Sequence, residues 1–139
     1  MVTGRPLVAG TGQGPLLALS HPISFWGGVD PVTGTIADPR HPEYARLLTG
    51  TVLLVPQAVG SSSSSAIMLE LLRRGTAPAA ILMGEADAIL ALGVVVAGEL
   101  GHATVPVVEV DASSFEGLVE GTPVKVEVDG TVRVGSEAL

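Results

Sequence analysis

Val59-Gly60 followed by Ser61-Ser62-Ser63-Ser64-Ser65 is the part of this sequence best equipped for chemistry. An apolar run, Thr51 to Val55, precedes it, and an amphipathic pattern, Ala66 to Arg74, follows. A glycine and hydroxyls at a strand-to-helix junction gather N–H donors and Oγ atoms at a helix N-terminus, where an anion or a reacting carbon acid is favoured. Helix capping asks for one or two hydroxyls. Five consecutive serines exceed that need. This is no P-loop, because the lysine expected after the second glycine is absent. A serine acting as a base needs a metal, a cation or a dense array of N–H groups to stabilise its anion. The chain carries little positive charge and no cysteine. If the junction is catalytic, the chain therefore supplies half of an active site.

The elements around the junction follow from hydrophobic pattern and breakers. Leu7 to Gly10 and Pro15 to Ser20 read as short strands joined by a Gly-rich turn, Thr11 to Gly14. Thr51–Val55, Ala79–Met83 and Val105–Val110 read as buried core strands. Helices are expected from the serine junction to about Arg74, stopped by Gly75, and from Ala88 to Leu100, capped by Asp87 and weakened at Gly93. Val124, Val126 and Val128 alternate with charged residues, Asp129-Gly130 signals a type I′ turn, and Val132 and Val134 return. Between His21 and Tyr44, prolines and glycines forbid regular structure, yet Ile23, Phe25, Trp26 and Val29 make the segment too apolar for a free linker. The order is β–α–β–α–β between antiparallel hairpins at both ends, a mixed sheet layered on helices.

Composition narrows the function. With 139 residues a single domain spanning 1–139 is expected. The net charge is −7, Lys125 is the one lysine, and no basic stripe exists, so nucleic acid is an unsuitable partner. The absence of cysteine rules out disulfides and any thiolate-held metal or iron–sulfur site made by this chain. No signal-peptide pattern opens the sequence, and the apolar stretch from Ala88 to Leu100 is too short to span a bilayer, which makes the cytoplasm the default location and a membrane no partner. His21, His41 and His102 lack ligand spacing, so no metal site is expected. His41 before Pro42 reads as structural, and Asp30 and Asp38 lie in loops where carboxylates form Asx-turns or orient a ligand.

Ser24-Phe25-Trp26-Gly27-Gly28-Val29-Asp30-Pro31, Thr33-Gly34, Asp38, His41-Pro42, Gly60-Ser61 and Gly75-Thr76-Ala77-Pro78-Ala79-Ala80-Ile81 occur in that order. Together they resemble the small subunit of aconitase X over roughly residues 4 to 134. The resemblance implies an α/β fold of the aconitase-like swivelling β/β/α type, a mixed sheet with terminal hairpins and two main helices. It implies a hydro-lyase subunit in a heterodimer with a larger chain that holds an iron–sulfur cluster. By motif, Ser61 takes the substrate proton, and Ser62, Gly60, Gly28 and Asp30 are candidate substrate-binding positions. Aconitases place an Arg after the two serines. Ser63 stands there in this sequence, which hands the carboxylate grip to the partner chain. Two small hydroxy acids are substrates in the family, cis-3-hydroxy-L-proline and mevalonate 5-phosphate, and Trp26 with the unbroken serine run is more similar to the hydroxyproline branch. Trp26 in its Gly-rich loop suits either a lining of the site or an anchor for the partner. The last β–α–β also resembles phosphohistidine swivelling domains, but Ala88 to Val94 contains no His, which suggests shared fold and not shared chemistry. A non-catalytic swivel or binding module is the remaining alternative.

Overall fold

Gly4 bends the first extended segment so that its two halves serve different parts of one sheet. The computed structural model describes residues 1–60 and 62–139. Along the chain run β1 (Val2–Thr3), β2 (Arg5–Val8), β3 (Gly12–Ala18), a short turn α1 (Phe25–Gly28), β4 (Val29–Asp30) and β5 (Thr35–Ile36). Then come β6 (Val52–Val55), α2 (Ser64–Arg74), β7 (Ala80–Met83), α3 (Ala88–Glu99), β8 (Val107–Glu109), β9 (Pro123–Val126) and β10 (Thr131–Val134). The main sheet has the order β1-β10-β9-β3-β6-β7-β8-β2. Because β1 and β2 are parted only by Gly4, the two ends of that order are one bent segment, and the sheet folds over on itself. A Cβ at Gly4 would stand 2.3 Å from Val108 Cγ1, so the bend tolerates no side chain.

Strand β3 makes the second corner. Gly12 to Pro15 pair antiparallel with β9, whereas Leu16 to Ala18 pair parallel with β6. The folded sheet encloses one core between its halves, built from Val52, Leu54, Ala80, Leu82 and Val108 against Val124, Val126 and Val132. Alternation sends Leu53, Val55, Ile81, Met83 and Val107 to the opposite face, where Met68, Leu71 and Leu72 of α2 and Leu90, Val94 and Ala97 of α3 cover them. Each fully buried Leu, Ile or Val contributes about 1.5–3 kcal/mol. The parallel strands β6, β7 and β8 and their crossover helices match the expected β–α–β–α–β unit. The layers are sheet, sheet, helix, an α/β fold of the expected β/β/α type.

Local signals explain the helix ends. Gly75 takes φ 75° past the end of α2, and Thr76 N–H returns to Leu71 O at 2.9 Å. Asp87 caps α3, its carboxylate accepting Ile89 N–H at 2.8 Å. Gly93, which costs helix propensity, has a packing reason: a Cβ there would lie 2.5 Å from Ser65 O and 2.8 Å from Met68 Cβ. The two helices cross where only a glycine fits.

Two expectations about turns need correction. The N-terminal strands form no hairpin; β2 instead pairs antiparallel with β8, Arg5 opposite Glu109, and β3 bridges β9 and β6. That exchange covers the otherwise open edge of β8, which a local hairpin would leave unpaired. The C-terminal hairpin does form, with Val132 opposite Val126 and Val134 opposite Val124. Its turn is not type I′, because Gly130 has φ 90° while Asp129 does not adopt positive φ. Gly130 N–H bonds Glu127 O at 3.0 Å and Glu127 N–H bonds Thr131 O at 2.9 Å, making a three-residue loop that ends in a left-handed glycine. Asp129 Oδ1 accepts Thr131 N–H at 2.9 Å, which holds the loop in this form.

The breaker-rich segment is ordered by burial. Ile23, Phe25, Val29, Ile36 and Leu48 all enter the helix-side core. Among the described residues, no helix is long and apolar enough to cross a membrane.

Candidate functional site

Beyond β6 the chain leaves the sheet as Pro56–Gly60 and runs beside the first part of the long loop. Ile23 N–H donates to Gln57 O at 3.2 Å and Val59 N–H donates to Ile23 O at 2.9 Å. Gly60 then adopts φ 103°, and a Cβ on it would sit 2.7 Å from Ser24 Oγ. Both the backbone angle and the closeness of Ser24 demand glycine here. Ser61, the candidate base, lies outside the described residues. Ser62 is exposed in the turn before α2, and its carbonyl accepts the Ser65 hydroxyl at 2.9 Å.

The other serines do not behave as simple caps. Ser63 occupies the N-cap position in right-handed helical geometry, φ −67° and ψ −10°, without a side-chain capping bond. Ser64 is buried, and its Oγ accepts the Trp26 N–H at 3.4 Å. Ser64 thus fastens the start of the helix to a neighbouring loop.

That loop is a tight turn. Trp26 has φ −70° and ψ 112°, and Gly27 has φ 81° and ψ −18°, the angles of a type II turn, which explains Gly27. Ser24 Oγ donates to Trp26 O at 3.1 Å, so both peptide groups of Trp26 are held by serine hydroxyls. Phe25 is buried beneath, whereas Trp26 keeps 57% of its surface exposed. The turn forms one wall of a cleft of about 510 Å³ whose lining includes Ser24, Trp26, Gly28, Asp38, Arg40 and His41. Val59, one residue before the junction glycine, reaches the same cleft.

The charged wall is organised around Asp38. Its Oδ1 accepts the Arg40 N–H at 2.9 Å and the Arg40 Nε–H at 3.2 Å. These bonds, the backbone one foremost, hold the Asp38 carboxyl below the ordinary carboxylate range, and the side-chain bond raises Arg40. His41 is buried: Nδ1 accepts Glu43 N–H at 3.1 Å and Nε2 faces His21 O at 3.2 Å, which assigns the proton to Nε2. Glu43 Oε1 accepts Ser20 N–H at 2.8 Å. Its Oε2 lies 3.2 Å from His41 Nδ1 but receives no hydrogen bond, since that nitrogen's lone pair already takes the Glu43 amide. His41 therefore braces the base of the cleft loop, the structural role its place before Pro42 suggests.

The structure gathers some of the sequence-derived candidates and separates others. Gly28 lines the cleft and Gly60 packs against its Ser24 wall. Asp30 turns its Oδ1 onto Val32 N–H at 2.9 Å and lines a different depression, with Thr33 and Tyr44. Arg40 was not visible as a site residue, because a lone exposed Arg in a Pro-rich loop has no spacing signal. Among the described residues, no group of three or more His, Cys, Asp and Glu side chains is arranged to hold a metal ion.

Comparison with known proteins bears on this geometry. Residues 1–134 match the family model of the aconitase X swivel domain. The chain belongs to the aconitase X family. Its swivel fold superposes on the crystal structure of Thermococcus kodakaraensis aconitase X in the holo-form with a TM-score of 0.84, at 33% identity and 96% coverage of each chain. Among aconitase X relatives, the phosphomevalonate dehydratase small subunit of Methanothermobacter thermautotrophicus is 39% identical over 125 residues, 90% of each chain. The cis-3-hydroxy-L-proline dehydratase of Hypocrea jecorina is 41% identical over 129 residues, and that of Pseudomonas aeruginosa 46% over 107. Against these two the chain covers 22% and 18% of the relative, so it spans about a fifth of their length.

Proposed function

We propose that this chain, a single swivel domain over 1–139, is the cytoplasmic small subunit of an aconitase X hydro-lyase in which Ser61 is the base. The observation that carries this reading is the placement of Gly60 and Ser64, which flank Ser61 in the sequence. Gly60 takes positive φ with Ser24 where a Cβ would stand, and Ser64 is bonded to Trp26, so both adjoin the Ser24–Trp26 wall of one cleft. The partner is a larger aconitase X chain, in line with relatives that are named small subunits.

The iron–sulfur cluster implied by the family does not fit on this chain, which has no cysteine and, among its described residues, no metal-ligating group. The cluster is assigned to the larger subunit, and the roles below belong to this chain alone. Ser61 Oγ accepts the proton next to the substrate carboxylate. The C–H electron pair becomes the new C=C bond as the C–O bond breaks and the hydroxyl departs with the C–O bonding pair; the proton held by Ser61 and the departed hydroxyl together make up the water lost. Ser62, Gly60 and Gly28 would line the substrate, their N–H groups and the small glycine surfaces allowing close approach. Closure of the swivel domain would exclude bulk water.

The substrate is a small hydroxy acid, with cis-3-hydroxy-L-proline first. Mevalonate 5-phosphate is the second reading, supported by relatives named phosphomevalonate dehydratase small subunits at up to 39% identity. The test is co-expression with the candidate large subunit and assay of water loss from each acid. Ser61→Ala is expected to lower kcat about 10²–10⁴-fold. Near-normal turnover by that variant would remove Ser61 as the base.

A further inference from the structure

We propose that the cleft beside Trp26 is a specificity subsite for a zwitterionic ring α-amino acid, with Trp26 and Asp38 receiving the ammonium and Arg40, in place of a grip supplied wholly by the partner chain, receiving the carboxylate. This rests on the reading that the cleft is the small subunit's share of the substrate site.

Charge carries the argument first. Among the described residues, Arg40 is the one cationic side chain lining the cleft, and Asp38 is the carboxylate beside it. The remaining arginines are occupied elsewhere: Arg5 with Glu109, Arg46 with Glu120, Arg73 and Arg74 with Glu70, and Arg133 with Glu127. Lys125 lies opposite Arg133 in the terminal hairpin. A phosphate monoester carries a charge of about −1.5 to −2 near neutral pH. With a carboxylate added, such a ligand would meet one paired Arg and an ionised Asp on this wall. A zwitterion presents one charge of each sign, matching the wall's own pair.

The aromatic group is the second observation. Trp26 is more than half exposed, yet its peptide groups are fixed by Ser24 and Ser64. An exposed indole face in a cleft attracts an alkylammonium through its ring quadrupole, more strongly for Trp than for Phe or Tyr. It does nothing comparable for a phosphate. Asp38 is held in position by the Arg40 amide, so the anion that would share the ammonium is pre-set. The cleft volume of about 510 Å³ suits a ligand of this size.

The test uses the complex reconstituted with the large subunit, with cis-3-hydroxy-L-proline and mevalonate 5-phosphate as substrates and L-proline as a non-reacting probe. Trp26→Leu is expected to raise KM for the amino acid about tenfold, with a smaller effect on kcat, and to weaken L-proline binding by calorimetry to the same degree. Trp26→Phe should recover part of both, which separates a ring contact from a folding defect. Asp38→Asn and Arg40→Ala should each weaken L-proline binding. L-Proline affinity unchanged in all of these variants, no L-proline binding to the wild-type complex, or turnover of mevalonate 5-phosphate alone would overturn the proposal. Because L-proline binding needs no proton transfer, the subsite stands or falls separately from Ser61: loss of activity in Ser61→Ala with unchanged binding in Trp26→Leu keeps the base and rejects the subsite.

Discussion

The backbone N–H of Trp26 donates to the hydroxyl of Ser64 across 3.4 Å, tying the exposed wall of the cleft to the first turn of α2. The bond joins two segments 38 positions apart in sequence.

Ser64→Ala removes the acceptor and strands a part-buried amide. Stability should fall by about 1–2 kcal/mol. Urea denaturation of the variant against the parent measures it, and an unchanged midpoint would show that the Trp26 turn is held without this bond.

Gly93→Ala sets helix propensity against packing. Alanine gains up to about 1 kcal/mol in a helix interior, but its Cβ would stand 2.5 Å from Ser65 O. Overpacking of this kind costs about 1–3 kcal/mol, and the expected sign is net destabilisation. A thermal melt showing a higher Tm would mean that α3 moves aside at little cost.

Gly60→Ala forces a side chain into left-handed φ and against Ser24 Oγ. We expect a loss of about 1–3 kcal/mol in stability, together with a fall in kcat of the reconstituted enzyme larger than that of Ser65→Ala. Equal kcat in the two variants would argue that the junction backbone is not what positions the base.

Glu70 supplies a pH signature. Hydrogen bonds from Arg73 and then Arg74 hold its carboxyl down at about 2, against an ordinary value of 4.5. A depressed folded-state pKa gives stability that is complete above the unfolded value and is lost as protons bind. The stability difference between the parent and Glu70→Gln should therefore be constant above about pH 5 and shrink as pH falls towards 2. Added salt should shrink it as well, because the group is exposed. A difference that grows on acidification would contradict the assignment.

Much of the scaffold was legible in the residues themselves. Continuous apolar runs marked β6 and β7 because parallel strands buried on both faces need no polar alternation. Gly75 and Asp87 marked helix ends because left-handed backbone and a capping carboxylate are local requirements. The ordered motifs from Ser24 to Ile81 carried the family resemblance, which the match over residues 1–134 bears out. The three-residue loop before Thr131 was missed because Asp-Gly also fits a type I turn followed by a left-handed glycine, and the cross-strand register chooses between the two.

The sequence by itself determined the strand–helix alternation, the glycine stops, the lack of cysteine and the serine junction, since each depends on neighbouring residues or on composition. Tertiary structure decided the rest. It moved β2 to the edge of β8, gave Gly93 its crossing with Ser65, and turned Asp30 onto its own loop. It also gathered Trp26, Asp38 and Arg40 around one cleft with Val59. The physical reason is common to all of these: each requires segments distant in the chain to meet, and which pairs meet is settled by the burial of whole faces, not by local propensity.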